Sequence, residues 1–147
     1  MADFCRAAIG RMGEEAACSY LESKGCTIIE RNVRIGHDEI DIVCENGLFI
    51  IFAEVKTRRQ SPDTITQYGS PAQAVDSKKQ TALIRSADGY TESHPTEKIP
   101  RIDVIEVYVS DGEIFTVTEI RHFENAVHRN GKFSKKSSRR RYADEAD

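Results

Sequence analysis

Leu48-Phe49-Ile50-Ile51-Phe52-Ala53 is the longest apolar run in the chain, and the polar and apolar positions on either side of it follow two different periods. Upstream, Gly13, Ala16, Ala17, Tyr20 and Leu21 recur at three- and four-residue spacing, which predicts a helix from about Phe4 to Lys24 with one packed face and Gly25 as its stop. Cys26 to Arg34 and Asp38 to Glu45 then read as strands, the second with Ile40, Ile42 and Cys44 alternating against Glu39, Asp41 and Val43. Asn46-Gly47 is a two-residue hairpin signal leading into a third strand, Leu48 to about Thr57, whose low polarity places it inside a sheet.

A polar connection from Arg58 to Ser70 follows, and Pro71 then suits the start of a second helix. Ala74, Val75, Lys78, Ala82 and Leu83 continue that helix to about Thr91. Arg101 to Val109, an Asp111-Gly112 turn and Glu113 to Ile120 predict a second hairpin, with a short helix over Arg121 to Val127. The order of elements predicts one α/β domain over residues 1–128, a mixed sheet flanked by helices. Residues 129–147 are expected to form a basic, flexible tail too polar to fold alone.

Composition narrows the function. The apolar run is far short of the roughly 20 residues that span a bilayer. Asp3 and Arg6 interrupt any signal-peptide core, so the protein is expected to be cytoplasmic. Cys5, Cys18, Cys26 and Cys44 form no CxxC pair and have no His at ligand spacing, which argues against zinc; Cys18 and Cys44 read as reduced core residues. The net charge of −3 hides an asymmetry, because Arg129, Lys132, Lys135, Lys136, Arg139, Arg140 and Arg141 cluster in the tail and leave the body more acidic. Such a tail serves solubility or reaches for polyanions.

Glu54-Val55-Lys56 ends the apolar strand, and a carboxylate and an ammonium on one face of so hydrophobic a strand call for a reason. A tight turn at Asn46-Gly47 would pair Glu39 with Glu54 and Asp41 with Phe52, so that Glu39, Asp41, Glu54 and Lys56 share a face. Carboxylates that close repel one another unless a cation lies among them. Mg2+ suits such a pair, since it uses one or two carboxylates and fills its remaining positions with water and phosphate oxygens. A buried ion-pair network that only stabilises the fold is the other reading of the same residues.

Gly13-Glu14, Asn32 with Arg34, Glu39-Ile40-Asp41, Phe52-Ala53-Glu54-Val55-Lys56-Thr57-Arg58, Ala74-Val75 with Lys79, and Arg101-Ile102-Asp103 closely resemble the uncharacterised YraN-like family, over about Ile9 to Ala126. That family looks like a branch of the PD-(D/E)XK nucleases, related distantly to archaeal Holliday junction resolvases. The resemblance implies a restriction-endonuclease-like fold and a predicted endonuclease that uses Mg2+ or Mn2+. It implies Asp41 and Glu54 as metal ligands with the Val55 carbonyl assisting, Lys56 as the catalytic lysine, and Glu14 as a helical carboxylate near the metal. An ordinary surface position fits Glu14 equally, and simple helix packing accounts for Gly10 and Gly13 as well as a close approach to DNA does.

Lys79 and Arg58 are candidate phosphate contacts, with Lys135, Lys136, Arg139, Arg140 and Arg141 from the tail; Arg101 and Asp103 are expected to pair with each other. The resemblance departs at Asp38, where the family usually carries Gly. The reading is therefore a metal-dependent DNA endonuclease acting on branched DNA by analogy, in which a homodimer would cut both strands. A nucleic-acid-binding module of the same fold without cleavage is the alternative.

Overall fold

The computed structural model describes residues 2–60, 75–111, 114–128 and 138–142. Helix α1 (Ala2–Ser23) precedes strands β1 (Thr27–Ile35), β2 (Asp38–Glu45) and β3 (Phe49–Gln60). Helix α2 (Ser77–Ser93), β4 (Ile99–Asp111), β5 (Phe115–Phe123) and β6 (Ser138–Arg141) follow. The strands form one six-stranded sheet in chain order, parallel between β3 and β4 and antiparallel elsewhere. A parallel neighbour requires a crossover, and α2 lies in it. This mixed α/β architecture is consistent with a restriction-endonuclease-like core.

Each helix covers one face of the sheet. Under α1, Ile9, Ala17, Tyr20 and Leu21 pack on Ile42, Cys44, Ile51, Ala53, Ile105 and Val107. Under α2, Leu83, Ala87 and Tyr90 pack on Ile40, Val43, Ile50, Phe52, Ile102 and Val104. Covered on both faces, Ile50 to Glu54 and Ile102 to Val109 are continuously buried, which accounts for the unbroken apolar run of β3. Cys18 and Cys44 are buried free thiols, as their apolar surroundings in the sequence suggest.

Local chemistry sets the ends of the helices. Gly25, at φ 91°, lets the amides of Gly25 and Cys26 bond back to the carbonyls of Glu22 and Leu21 at 3.0 Å each and close α1. Asp76 caps α2 by accepting the Lys79 amide at 2.8 Å, so this helix begins at Ser77; Pro71 to Ala74 lie outside the described residues. Gly13 permits the closest approach of α1 to the sheet, since a Cβ there would run into the Thr57 hydroxyl. Gly10 has nothing within 4 Å of that position.

Several expectations are corrected. The β2–β3 connection is longer than a two-residue turn. Asn46 Oδ1 accepts the Leu48 and Phe49 amides at 2.9 and 2.8 Å, and the pairing is Glu45 with Ile50, Val43 with Phe52 and Ile42 with Ala53. That register is two residues away from the expected one, so the parity of the strand faces is kept. Leu48 sits exposed in the turn, and β3 runs on to Gln60. Arg121 to Val127 is no helix; β5 continues through Phe123 and ends in a turn where Asn125 takes φ 50°.

Within the basic tail, the described segment Ser138–Arg141 forms a strand, which its composition does not imply. Ser138 to Arg141 pair with His122, Arg121, Ile120 and Glu119 of β5, and Arg140 lies 5.0 Å over the Tyr20 ring. Local polarity is overridden here by an open sheet edge and by aromatic surface on α1.

Candidate functional site

The β2–β3 ladder stops at Ile42 and Ala53, and beyond it the two strands separate. Ile40 and Ile42 fall in different cores although alternation would put them on one face, so β2 turns over at Asp41. Asn32 lies between the Arg31–Ile42 and Val33–Ile40 pairs of the neighbouring strand, at φ 52°, and shares the irregularity. Asp41 is thereby turned into the gap. Its Oδ2 accepts the Val55 amide at 2.8 Å, in the place a ladder carbonyl would occupy. In an extended strand a residue's N–H and C=O project to the same side, so the Val55 carbonyl faces the gap as well.

The gap opens into a pocket of about 380 Å³ lined by Arg6, Ile9, Gly10, Glu14, Asp41, Glu54, Val55, Thr57 and Arg59. Asp41, Glu54, Val55 and Glu14 were expected to meet, and all four line it. Glu54 is 5% exposed, and its Oε2 is, among the described residues, the buried side-chain polar atom without a hydrogen-bond partner. Lys56 Nζ stands 3.6 Å from Oε1 and Lys79 Nζ 3.6 Å from Oε2, ion pairs longer than hydrogen bonds. The Asp76 cap orients the first turn of α2 from which Lys79 reaches across.

Burial pushes the Asp41 carboxyl up to about 7, with the nearby Glu54 charge adding to the effect and the Val55 amide opposing it. Burial also raises Glu54, against the pull of Lys79 and Lys56. These two acids are therefore held where the charged form is disfavoured. No three His, Cys, Asp or Glu side chains among the described residues converge closely enough to hold an ion unaided. A cation here would rest on Asp41, Glu54 and the Val55 carbonyl and complete its shell from water and substrate, a donor set of hard oxygens that suits Mg2+ or Mn2+.

The other predicted residues are distributed less closely. Asn32, with its amide oriented to donate, bridges Glu14 at 3.3 Å and Glu39 at 3.1 Å, and Glu39 does not line the pocket. Arg58 Nε lies 3.8 Å from Glu106, a buried acid that also accepts the Tyr108 hydroxyl at 2.9 Å. Arg141 pairs with Glu119 at 3.2 Å, Arg139 is exposed on β6, and Lys135 and Lys136 lie outside the described residues.

Two groups of residues escaped the sequence reading. Arg6, Thr57 and Arg59 line the pocket beside Gly10, which the sequence offered either for close approach to DNA or for helix packing, and the four-residue steps of Arg6, Gly10 and Glu14 were the available signal. The second group surrounds Asp103. Its expected pairing with Arg101 is present as two hydrogen bonds of 2.9 Å, but His122 Nε2 also reaches it at 2.7 Å and the Asn125 amide at 2.9 Å. His122 Nδ1 in turn lies 3.1 Å from the Tyr20 hydroxyl, which lies 3.3 Å from Ser138 Oγ.

The described residues contain no helix long and apolar enough to cross a membrane. The pattern of the uncharacterised protein family UPF0102 matches residues 13–107. A UPF0102 protein of Syntrophomonas wolfei is 41% identical over 120 residues, covering 80% of this chain and 96% of that protein. Those of Symbiobacterium thermophilum and Dehalococcoides mccartyi are each 39% identical, covering 82% and 71% of this chain and 96% and 83% of theirs. The matched span runs from the glycine that seats α1 on β3, through both pocket strands, to β4, and the chain belongs to the uncharacterised protein family UPF0102, the YraN-like group its motifs resemble.

Proposed function

We infer that the protein hydrolyses phosphodiester bonds in DNA with the help of Mg2+ or Mn2+ held at the opening between β2 and β3. The observation that carries this reading is Glu54, buried with one carboxylate oxygen that receives no hydrogen bond and only a 3.6 Å ion pair from Lys79, beside an Asp41 whose ionisation burial and Glu54 itself oppose. A fold that keeps two such acids together gains from a divalent cation bound between them. When bound, the ion supplies polarisation of the phosphodiester and a water of lowered pKa.

The chain's own groups do the rest. Asp41 is fixed by the Val55 amide and Glu54 by burial, so both present oxygens in a set geometry. Lys56 releases its hold on Glu54 to orient the attacking water or to meet charge that builds on the phosphoryl oxygens. Lys79 is placed to neutralise a non-bridging phosphate oxygen from the α2 side. Glu14, at the α1 wall, would add a further acceptor for a water in the pocket. Branched DNA is the preferred substrate on the strength of the resemblance alone.

Purified protein incubated with linear, single-stranded, flapped and four-way DNA over a range of Mg2+ and Mn2+ is expected to cut at least one of them. Glu54→Ala and Lys56→Ala should each abolish cutting while the protein stays folded. Absence of cleavage on every substrate, together with no metal binding by calorimetry, sinks the reading. Retained DNA binding in that case would favour the second one, a binding module in which Lys56 and Lys79 permanently serve as the counter-ions of Glu54.

A further inference from the structure

We propose that Arg6 of α1 and Arg59 of β3 form a phosphate clamp at the far end of the pocket, holding the DNA backbone beside the phosphodiester that Asp41 and Glu54 address. The inference rests on the nucleic-acid reading of that pocket. It starts from two stripes of residues. Arg6, Gly10 and Glu14 succeed one another at four-residue steps along one side of α1, and Val55, Thr57 and Arg59 alternate along one face of β3; all six line the pocket. The stripes run side by side because Gly13 lets α1 lie directly against Thr57.

Their charges are segregated along the pocket. Glu14, Asp41 and Glu54 gather at one end, where a bare phosphate is repelled unless a cation intervenes. Eight residues of helix carry the α1 stripe from Glu14 to Arg6, about 12 Å. Four residues of strand carry the β3 stripe from Val55 to Arg59, about 13 Å. Arg6 and Arg59 are thus carried away from the acids along the two stripes, one on α1 and one on β3. Arg59 also stands 5.6 Å from the Phe115 ring, which steadies it.

Gly10 lies between the ends of the α1 stripe, and with nothing within 4 Å of its Cβ position it leaves the helix surface bare where a sugar-phosphate chain would pass. Glu54, almost wholly buried with no hydrogen bond at Oε2, lines the same pocket. A polyanion laid along this channel meets the arginines first and the carboxylates last.

The test is DNA binding by fluorescence anisotropy, using duplex and single-stranded oligonucleotides in Ca2+ over a series of KCl concentrations. Arg6→Gln and Arg59→Gln should each lower the slope of log affinity against log salt by about one, uniformly across sequences and with unchanged melting temperature. Arg6→Glu should weaken binding further, and Gly10→Leu, a good helix former whose side chain fills the channel, should weaken it without unfolding α1. Variants that bind with the wild-type slope while the wild type cuts DNA overturn the clamp and leave the endonuclease intact. Arginine-dependent binding by a protein that cuts nothing supports the clamp and sinks the endonuclease. A wild type with no salt-sensitive affinity for DNA overturns the clamp outright.

Discussion

Asp103 and Glu54 are both buried carboxylates on adjacent central strands, and both face cations, yet their surroundings differ in kind. Asp103 receives two hydrogen bonds from Arg101, one from His122 and one from the Asn125 amide, so its oxygens are fully engaged. Burial alone would raise its pKa, but the His122 and Arg101 bonds outweigh that and hold it below the usual carboxylate value. Glu54 meets its two lysines at 3.6 Å, has one oxygen without a hydrogen bond, and titrates above the usual value. The first carboxylate is fully hydrogen-bonded within the protein, whereas the second is held by two longer ion pairs and lacks a hydrogen bond at one oxygen. The same carboxylate chemistry is thus closed by hydrogen bonds at one site and left partly open at the other.

The comparison breaks most directly at Asp103. Asp103→Ala would strand Arg101, whose side chain is 10% exposed, and His122 at 2%, so unfolding stability should fall by about 3–5 kcal/mol. Urea denaturation reads it, and a loss under about 1 kcal/mol would show that the cluster is not the closed unit described.

A smaller effect concerns how α1 is seated over the pocket. Gly13→Ala forces a methyl onto Thr57 and should cost about 1–3 kcal/mol, while Gly10→Ala, which meets nothing, should gain up to about 1 kcal/mol from helix propensity. Thermal melts of the pair give opposite signs if α1 packs on β3 as described.

Asp41 separates the two regions by pH. Its folded pKa, about 7, stands above the ordinary 3.8, so between these values the folded state binds the extra proton and stability is lost as pH rises. Asp41→Asn keeps an acceptor for the Val55 amide and abolishes that dependence. In chelator the variant should match the wild type near pH 4 and exceed it near pH 8. Water at the pocket mouth screens part of the effect, leaving on the order of 1–2 kcal/mol. Asp103, with its pKa depressed, contributes stability that is lost instead as pH falls, so its variants should show the reverse trend. Urea midpoints at pH 4 and pH 8 check the Asp41 sign, and midpoints followed downward from pH 4 check that of Asp103.

Much of the fold was legible because hydrophobic period and end signals agree. Gly25 stops α1 where the sequence indicates, and β2 spans Asp38–Glu45 as expected. Other features depended on non-local partners. The register slipped because Asn46 uses its side chain to close a longer loop, a choice that Asn-Gly leaves open. The edge strand β6 exists because β5 and Tyr20 are there to receive it. At the site, the charged face of β3 could be read from parity, but the turning-over of β2 at Asp41 could not, since it arises from two irregular strands packed together. Arg101 and Asp103 were visible as a pair two residues apart; His122 and Tyr20 join them only through the folded sheet.

The smallest expected effect is the sharpest test of the comparison. Glu54→Gln removes a buried charge from between two lysines, a change that at Asp103 would be ruinous. Lys56 and Lys79 are 34% and 38% exposed, however, so each can swing its ammonium into water once Glu54 is neutral. The wild-type carboxylate is itself raised by burial, and the amide loses no hydrogen bond at Oε2 because none is made there. The gain and the loss should cancel to within about 1 kcal/mol at neutral pH. A urea midpoint displaced as far as that of Asp103→Ala would mean that Glu54 is structural after all. An unchanged midpoint, with divalent-ion binding lost by calorimetry, would place its value in what it holds rather than in what it stabilises.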